Sequence, residues 1–171
     1  MKIPAVAVIV LVAGSAAAQD HQHKHSQSYS GIQTRTVKAL SAEQIADLRA
    51  GRGMGLALAA ELNGYPGPLH VLELADRLGL SPDQHQRVQR LYEAMKTEAV
   101  VAGERLIDAE FRLDRAFKDR TITSERLTEL SAAIGGQQGA LRAVHLKYHL
   151  ATAEVLTADQ SRRYAELRGY R

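Results

Sequence analysis

From Pro82 onward, apolar side chains return every three or four residues without a break. Val88, Leu91, Met95, Ala99, Ala102, Leu106, Ala109, Leu113 and Phe117 make one continuous stripe, the pattern of a helix with one face turned to a partner. At 1.5 Å per residue this helix is about 55 Å long. A short polar turn, Asp119 to Thr123, follows it. Leu127, Leu130, Ile134, Leu141, Val144, Tyr148 and Val155 then carry a returning stripe capped by Thr123. The two segments predict an antiparallel hairpin. With Phe117 opposite Leu127, Leu113 meets Leu130, Ala102 meets Leu141 and Leu91 lies near Thr152. Gly135, Gly136 and Gly139 lower helix propensity in mid-span, which predicts a close approach to the facing backbone or a bend.

Three helix starts share one form: Leu, then Ser or Thr, then two residues ending in an acid, then Gln. They are Leu40-Ser41 to Gln44, Leu80-Ser81 to Gln84, and Leu156-Thr157 to Gln160. The hydroxyl caps the first backbone N–H groups, the Gln reaches back to complete a capping box, and the Leu sits at the staple position. Pro82 occupies the first helical position, and Asp83 and Asp159 complement the positive end of the helix dipole. The last box starts a terminal helix from Ala158 to about Leu167, with Tyr164 and Leu167 inward. Ser41 to Ala50 reads as a short helix. Gly51 to Gly55 and Asn63 to Pro68 are breaks, and Leu69 to Leu78 resumes a helical period. A hairpin alone buries little, so these pieces must cross it or cross a second copy. The expected fold is all-α: a long antiparallel hairpin with short flanking helices, either wrapped into four or five helices or paired as a homodimer.

Composition narrows the function classes. The 171 residues fit one modest domain. The absence of Cys excludes disulfides, thiol catalysis and Cys-ligated metal. A net charge of +3 with 5% aromatic residues lacks the concentrated basic stripe and stacking aromatics of nucleic-acid binders. Residues 1–18 read as a cleavable export signal: Lys2, an apolar run to Val12, and small residues ending in Ala16-Ala17-Ala18. That run falls well short of the ~20 residues a spanning helix needs, so no membrane insertion is expected after its removal. Residues 19–36 are polar and read as a disordered tail with His21, His23 and His25 at alternate positions, a spacing that suits chelation of a divalent ion. Residues 37–79 hold the short wrapping helices and loops, and 80–171 the hairpin domain with its terminal helix.

Repeated capping boxes flanking a long helical hairpin, behind an export signal and without cysteine, resemble the LTxxQ family of bacterial periplasmic stress proteins. That family includes the Spy and CpxP chaperone and adaptor group and the related CnrX-type and ZraP-type heavy-metal sensors. The resemblance covers about residues 80 to 167 and is best at Leu80 to Gln84 and Leu156 to Gln160. It implies periplasmic location and often a cradle-shaped dimer. It also implies ATP-independent binding of unfolded clients or of an envelope-stress regulator, sometimes linked to divalent metal.

His145 and His149 are the sharpest chemical feature. Their spacing of four places both imidazoles on one helix face, within reach of a single ion. The hairpin register sets them against Met95 to Ala99, which makes Glu98 and Met95 the candidates for further donors and Glu104 and Glu110 rival acids. Such a set suits Zn, Ni, Co or Cu; no cofactor is otherwise required. The plainer reading packs His145 beside Tyr148 and leaves His149 in solvent. His70 and His85 read as ordinary surface or packing residues. No nucleophile elbow, phosphate loop or zinc-protease motif is present, and acids and bases interleave as on solvated helix faces, so the expected protein is not an enzyme. Two classes survive: a chaperone or stress adaptor, and a metal sensor or buffer.

Overall fold

Capping and periodicity decide where the helices run. The computed structural model describes residues 29–170; the expected signal segment and His21, His23 and His25 lie outside the described residues. A single 3-10 turn, Ile32–Thr34, falls in the described part of the polar tail. Seven helices follow among the described residues: α1 (Ala42–Arg49), α2 (Leu58–Glu61), α3 (Pro68–Glu73), α4 (Ala75–Leu78), α5 (Pro82–Lys118), α6 (Ser124–Ala153) and α7 (Ala158–Leu167). The run from Leu69 to Leu78, expected to be one helical stretch, is split at Leu74, whose ψ of 12° leaves the helical basin. No described residue forms a strand.

All three capping boxes close at their hydroxyl and their Gln. Two of them also close on each other. The Gln84 amide donates to the Gln160 carbonyl at 2.8 Å, and the Gln160 amide returns a bond to Gln84 at 3.0 Å. The second hydrogen on each amide goes to a backbone carbonyl, that of Val155 for Gln84 and that of Gly79 for Gln160. Each Gln oxygen meanwhile accepts from its own cap residue, Ser81 or Thr157. The ring uses both hydrogens and both lone pairs of each amide, a fit that a carboxylate lacks the donors to copy. It ties the start of α7 to the start of α5.

α5 and α6 form the antiparallel hairpin, with Tyr148 and Lys147 of α6 reaching Glu98 of α5. One apolar cluster joins Ala99, Ala102, Leu106, Ile107, Ala109, Ile134 and Leu141 to Val37 and Leu48. α1 runs antiparallel to α5 along it: Lys38 pairs with Asp114, Arg49 with Glu104, and Gly51 lies on Lys96. A second cluster, at the other end, joins Val71, Leu78, Val88, Val155 and Tyr164.

The glycines do not act as their positions suggested. Gly135, Gly136 and Gly139 face open space, and a Cβ at any of them would meet nothing within 4 Å. The close approach occurs instead at Gly103, where a Cβ would lie 2.7 Å from the Leu48 carbonyl oxygen. Only glycine lets α1 sit that near α5. At the hairpin tip the expected Phe117 and Leu127 pair is left exposed, because no flanking helix among the described residues reaches that far.

Candidate functional site

The two irregular segments that periodicity left unassigned build a cavity against the histidine face of α6. Gly51, at φ +67°, brings the chain off α1 onto α5. The next residues cross α6, where Gly53 lies over His145: a Cβ there would sit 3.6 Å from the imidazole Nδ1. α2 then delivers Glu61, and the turn through Pro66-Gly67-Pro68 returns the chain over His149. A Cβ at Gly67 would fall 2.9 Å from His149 Nε2, so the ring and the turn fit together only because that residue is glycine. The space enclosed is about 420 Å³, with Met54, Tyr92, Met95, His145, His149 and Arg168 on its walls.

Glu61 is the hub of this region, 7% exposed yet fully engaged. Its Oε1 accepts from the hydroxyls of Tyr164 and Tyr170, the latter at 3.1 Å, and faces Arg168 Nε at 3.6 Å. Its Oε2 accepts from the Gly67 backbone N–H at 3.1 Å and lies 3.7 Å from His149 Nδ1. Removing so buried a carboxylate from water is tolerated because donors surround it. Burial, then the bond to Glu61, drives the Tyr164 hydroxyl far above its usual range, so it stays a donor.

The two histidines differ in their bonding. His149 Nδ1 lies 2.7 Å from the Tyr65 carbonyl oxygen. A carbonyl only accepts, so Nδ1 carries a proton, and the ring's only site for a lone pair is Nε2, the orientation used to set a metal-binding imidazole. His145 is 3% exposed, and its Nε2 is buried with no hydrogen-bond partner. Burial, reinforced by repulsion from His149, lowers its pKa from the ordinary value. A neutral imidazole with an unused buried nitrogen is poised to bind something.

Of the residues proposed from sequence, His145, His149 and Met95 come together. Glu98 does not join them. It is half-exposed outside the cavity, held by Lys147 and Tyr148, and the Lys147 bond foremost holds its carboxyl below the usual range. Burial and Glu98 together push Tyr148 up to about 12. The carboxylate beside the histidines is Glu61 instead, because the broken segment supplies it and the hairpin partner does not. Glu104 pairs with Arg49, and Glu110 is half-buried away from the cavity. His70, read with His85 as an ordinary surface or packing residue, lines the cavity and bonds to Glu73 at 2.8 Å, while His85 is exposed. Among the described residues no three His, Asp or Glu side chains gather into a metal-ligand set.

Sequence reasoning missed Glu61, Met54, Arg168 and Tyr170. The one local signal was the turn-rich run Asn63 to Pro68, which folds the chain back beside Glu61. No protein-family model, curated protein or solved structure matches this chain.

Proposed function

We propose that the protein is an exported, periplasmic, non-catalytic binding protein of the Spy and CpxP stress type, holding unfolded or regulatory protein segments without nucleotide. The observation that carries this reading is a pair of apolar grooves flanking α1. One, about 640 Å³, has Val37, Ile45, Ile107 and Phe111 on its floor with Arg49 and Glu104 at its edge. The other, about 460 Å³, lies over Leu48, Leu56, Leu106 and Leu141 with Arg142 beside it. Gly135 and Gly139 line this second groove and leave it open, which supports a role for those glycines outside the protein's own packing. Apolar floors edged by long charged side chains of both signs suit weak, sequence-tolerant capture of flexible chains.

The test is suppression of aggregation of an unfolded client at stoichiometric ratio. The native chain is expected to suppress it without ATP, and Gly139→Leu with Phe111→Ser is expected to weaken suppression several-fold while helicity by circular dichroism is retained. No suppression by the native chain overturns the reading.

A second reading, a sensor or buffer of a divalent transition metal, is favoured by the unpartnered Nε2 of His145 beside His149 and Met95. Titration with Zn, Ni, Co or Cu is expected to reveal a site lost in His145→Ala with His149→Ala. A site lost only when His21, His23 and His25 are replaced assigns the metal to the tail and overturns the cavity site.

A further inference from the structure

We infer that the cavity is a site for a soft monovalent cation, Cu(I), bound by His145, His149, Met95 and Met54; this rests on the metal reading above and names its ion class. Four independent observations converge on it.

The first is the nitrogen inventory. His145 Nε2 is buried without a partner, and His149 has its Nδ1 committed to the Tyr65 carbonyl, which leaves Nε2 as the basic atom. Two imidazoles one helical turn apart therefore each keep a nitrogen without a protein partner, and both residues line one cavity.

The second is the methionines. The chain has three, and apart from Met1 both of the others line this cavity. Met95 is buried, while Met54 is 43% exposed and also borders the groove over Leu48 and Leu56. Thioether sulfur is a poor ligand for hard ions and a good one for Cu(I), and imidazole suits copper as well.

The third is backbone strain. Met54 adopts φ +43° between Gly53 and Gly55, a conformation that side chains other than Gly, Asn and Asp rarely take. Glycine at position 54 would hold the turn without strain. A strained residue flanked by permissive ones, carrying a side chain on the cavity wall, points to a use for that side chain.

The fourth is charge. Among the described residues Glu61 is the only carboxylate on the cavity wall, and its oxygens are taken by Tyr164, Tyr170 and Gly67 with Arg168 and His149 opposite. Arg52, also on the wall, is matched by Asp47 at 2.6 Å. No free negative charge is left to offset a dication, so neutral donors around a monovalent ion carry the smaller desolvation penalty.

The test uses the full chain and Ag(I), a redox-inert ion of the same softness, with the methionine methyl groups carbon-13 labelled. One equivalent of Ag(I) is expected to shift the Met54 and Met95 methyl resonances together, and His145→Ala or Met95→Leu is expected to weaken binding at least ten-fold. Met95→Leu nearly conserves volume, so its unchanged thermal unfolding separates lost ligation from lost folding. Triple replacement of His21, His23 and His25 by Ala is expected to leave both methyl shifts in place, and their loss would overturn the inference. Unmoved methyls, or full Ag(I) affinity in both cavity variants, also overturn it. If Zn(II) binds in a His145-dependent way while the methyls stay put, the soft-ion assignment falls and the general metal reading stands. If neither ion needs His145, both fall.

Discussion

The two halves of the hairpin are built on opposite principles. Around the open ends of α5 and α6, polar groups are buried or half-buried and, His145 Nε2 apart, matched: the Gln84 and Gln160 amide ring, the Glu61 hub, and His149 on the Tyr65 carbonyl. Towards the tip the packing is apolar, the ion pairs are exposed, and Phe111, Phe117 and Leu127 are uncovered. Buried polar networks specify one arrangement, because any shift strands a donor or acceptor. Apolar contacts covered on one side tolerate a change of partner. The contrast puts the proposed small-ligand site in the networked half and the proposed surface for protein segments in the other.

The strongest way to break the comparison is at its hub. Glu61→Ala leaves two tyrosine hydroxyls and the Gly67 N–H without their acceptor and Arg168 without its counter-charge, and is expected to cost about 3–5 kcal/mol in urea unfolding. A cost near that of an ordinary surface change would mean that the polar half is not networked. Gly103→Val forces α1 away from α5 and is expected to cost about 1–3 kcal/mol, with loss of client binding alongside.

The repeated motif allows a finer comparison. Gln84→Glu keeps the capping acceptor but removes the donors to Val155 and Gln160, an expected loss of about 1–3 kcal/mol. Gln44→Glu, whose side chain serves only its own cap, should stay within about 0.5 kcal/mol. Equal effects at the two sites would refute the pairing. In the groove, Gly139→Ala meets open space and is expected to stabilise the chain by about 1 kcal/mol through helix propensity, while narrowing the surface offered to a client.

The smallest effect is a pH dependence. His145 has its pKa lowered in the folded state by burial and then by His149, from an ordinary value of 6.5. As pH falls past that value the unfolded chain takes the proton first, so stability present in full above 6.5 is lost down through the folded value. The thermal midpoint is expected to fall on the acid side, and less steeply in His145→Leu. That variant should also be at least as stable as the native chain at neutral pH, because it removes an unpartnered buried nitrogen.

Much of this was legible beforehand for local reasons. The stripe from Val88 to Phe117 and the three Ser or Thr caps each act within a few residues, so reading them needs no tertiary knowledge. The i, i+4 rule likewise placed His145 and His149 on one face. The same reasoning failed for Glu98, because helix spacing gives the face a residue lies on and not what covers that face. It failed for Gly135 and Gly139 because propensity records a cost without saying what, if anything, uses it.

By itself, then, the sequence determined the two long helices, the capped starts of α1, α5 and α7, the hairpin and the histidine face, since hydrogen-bonding and hydrophobic periodicity are written at separations of three and four residues. Only the tertiary structure decided what stands opposite. Glu61 meets Tyr164 and Tyr170 across separations of 103 and 109 residues, and Met54 joins the cavity through a loop with no period at all. Those partners were selected by burial: a carboxylate, an imidazole and an amide each had to find matching groups once the packed helices excluded water.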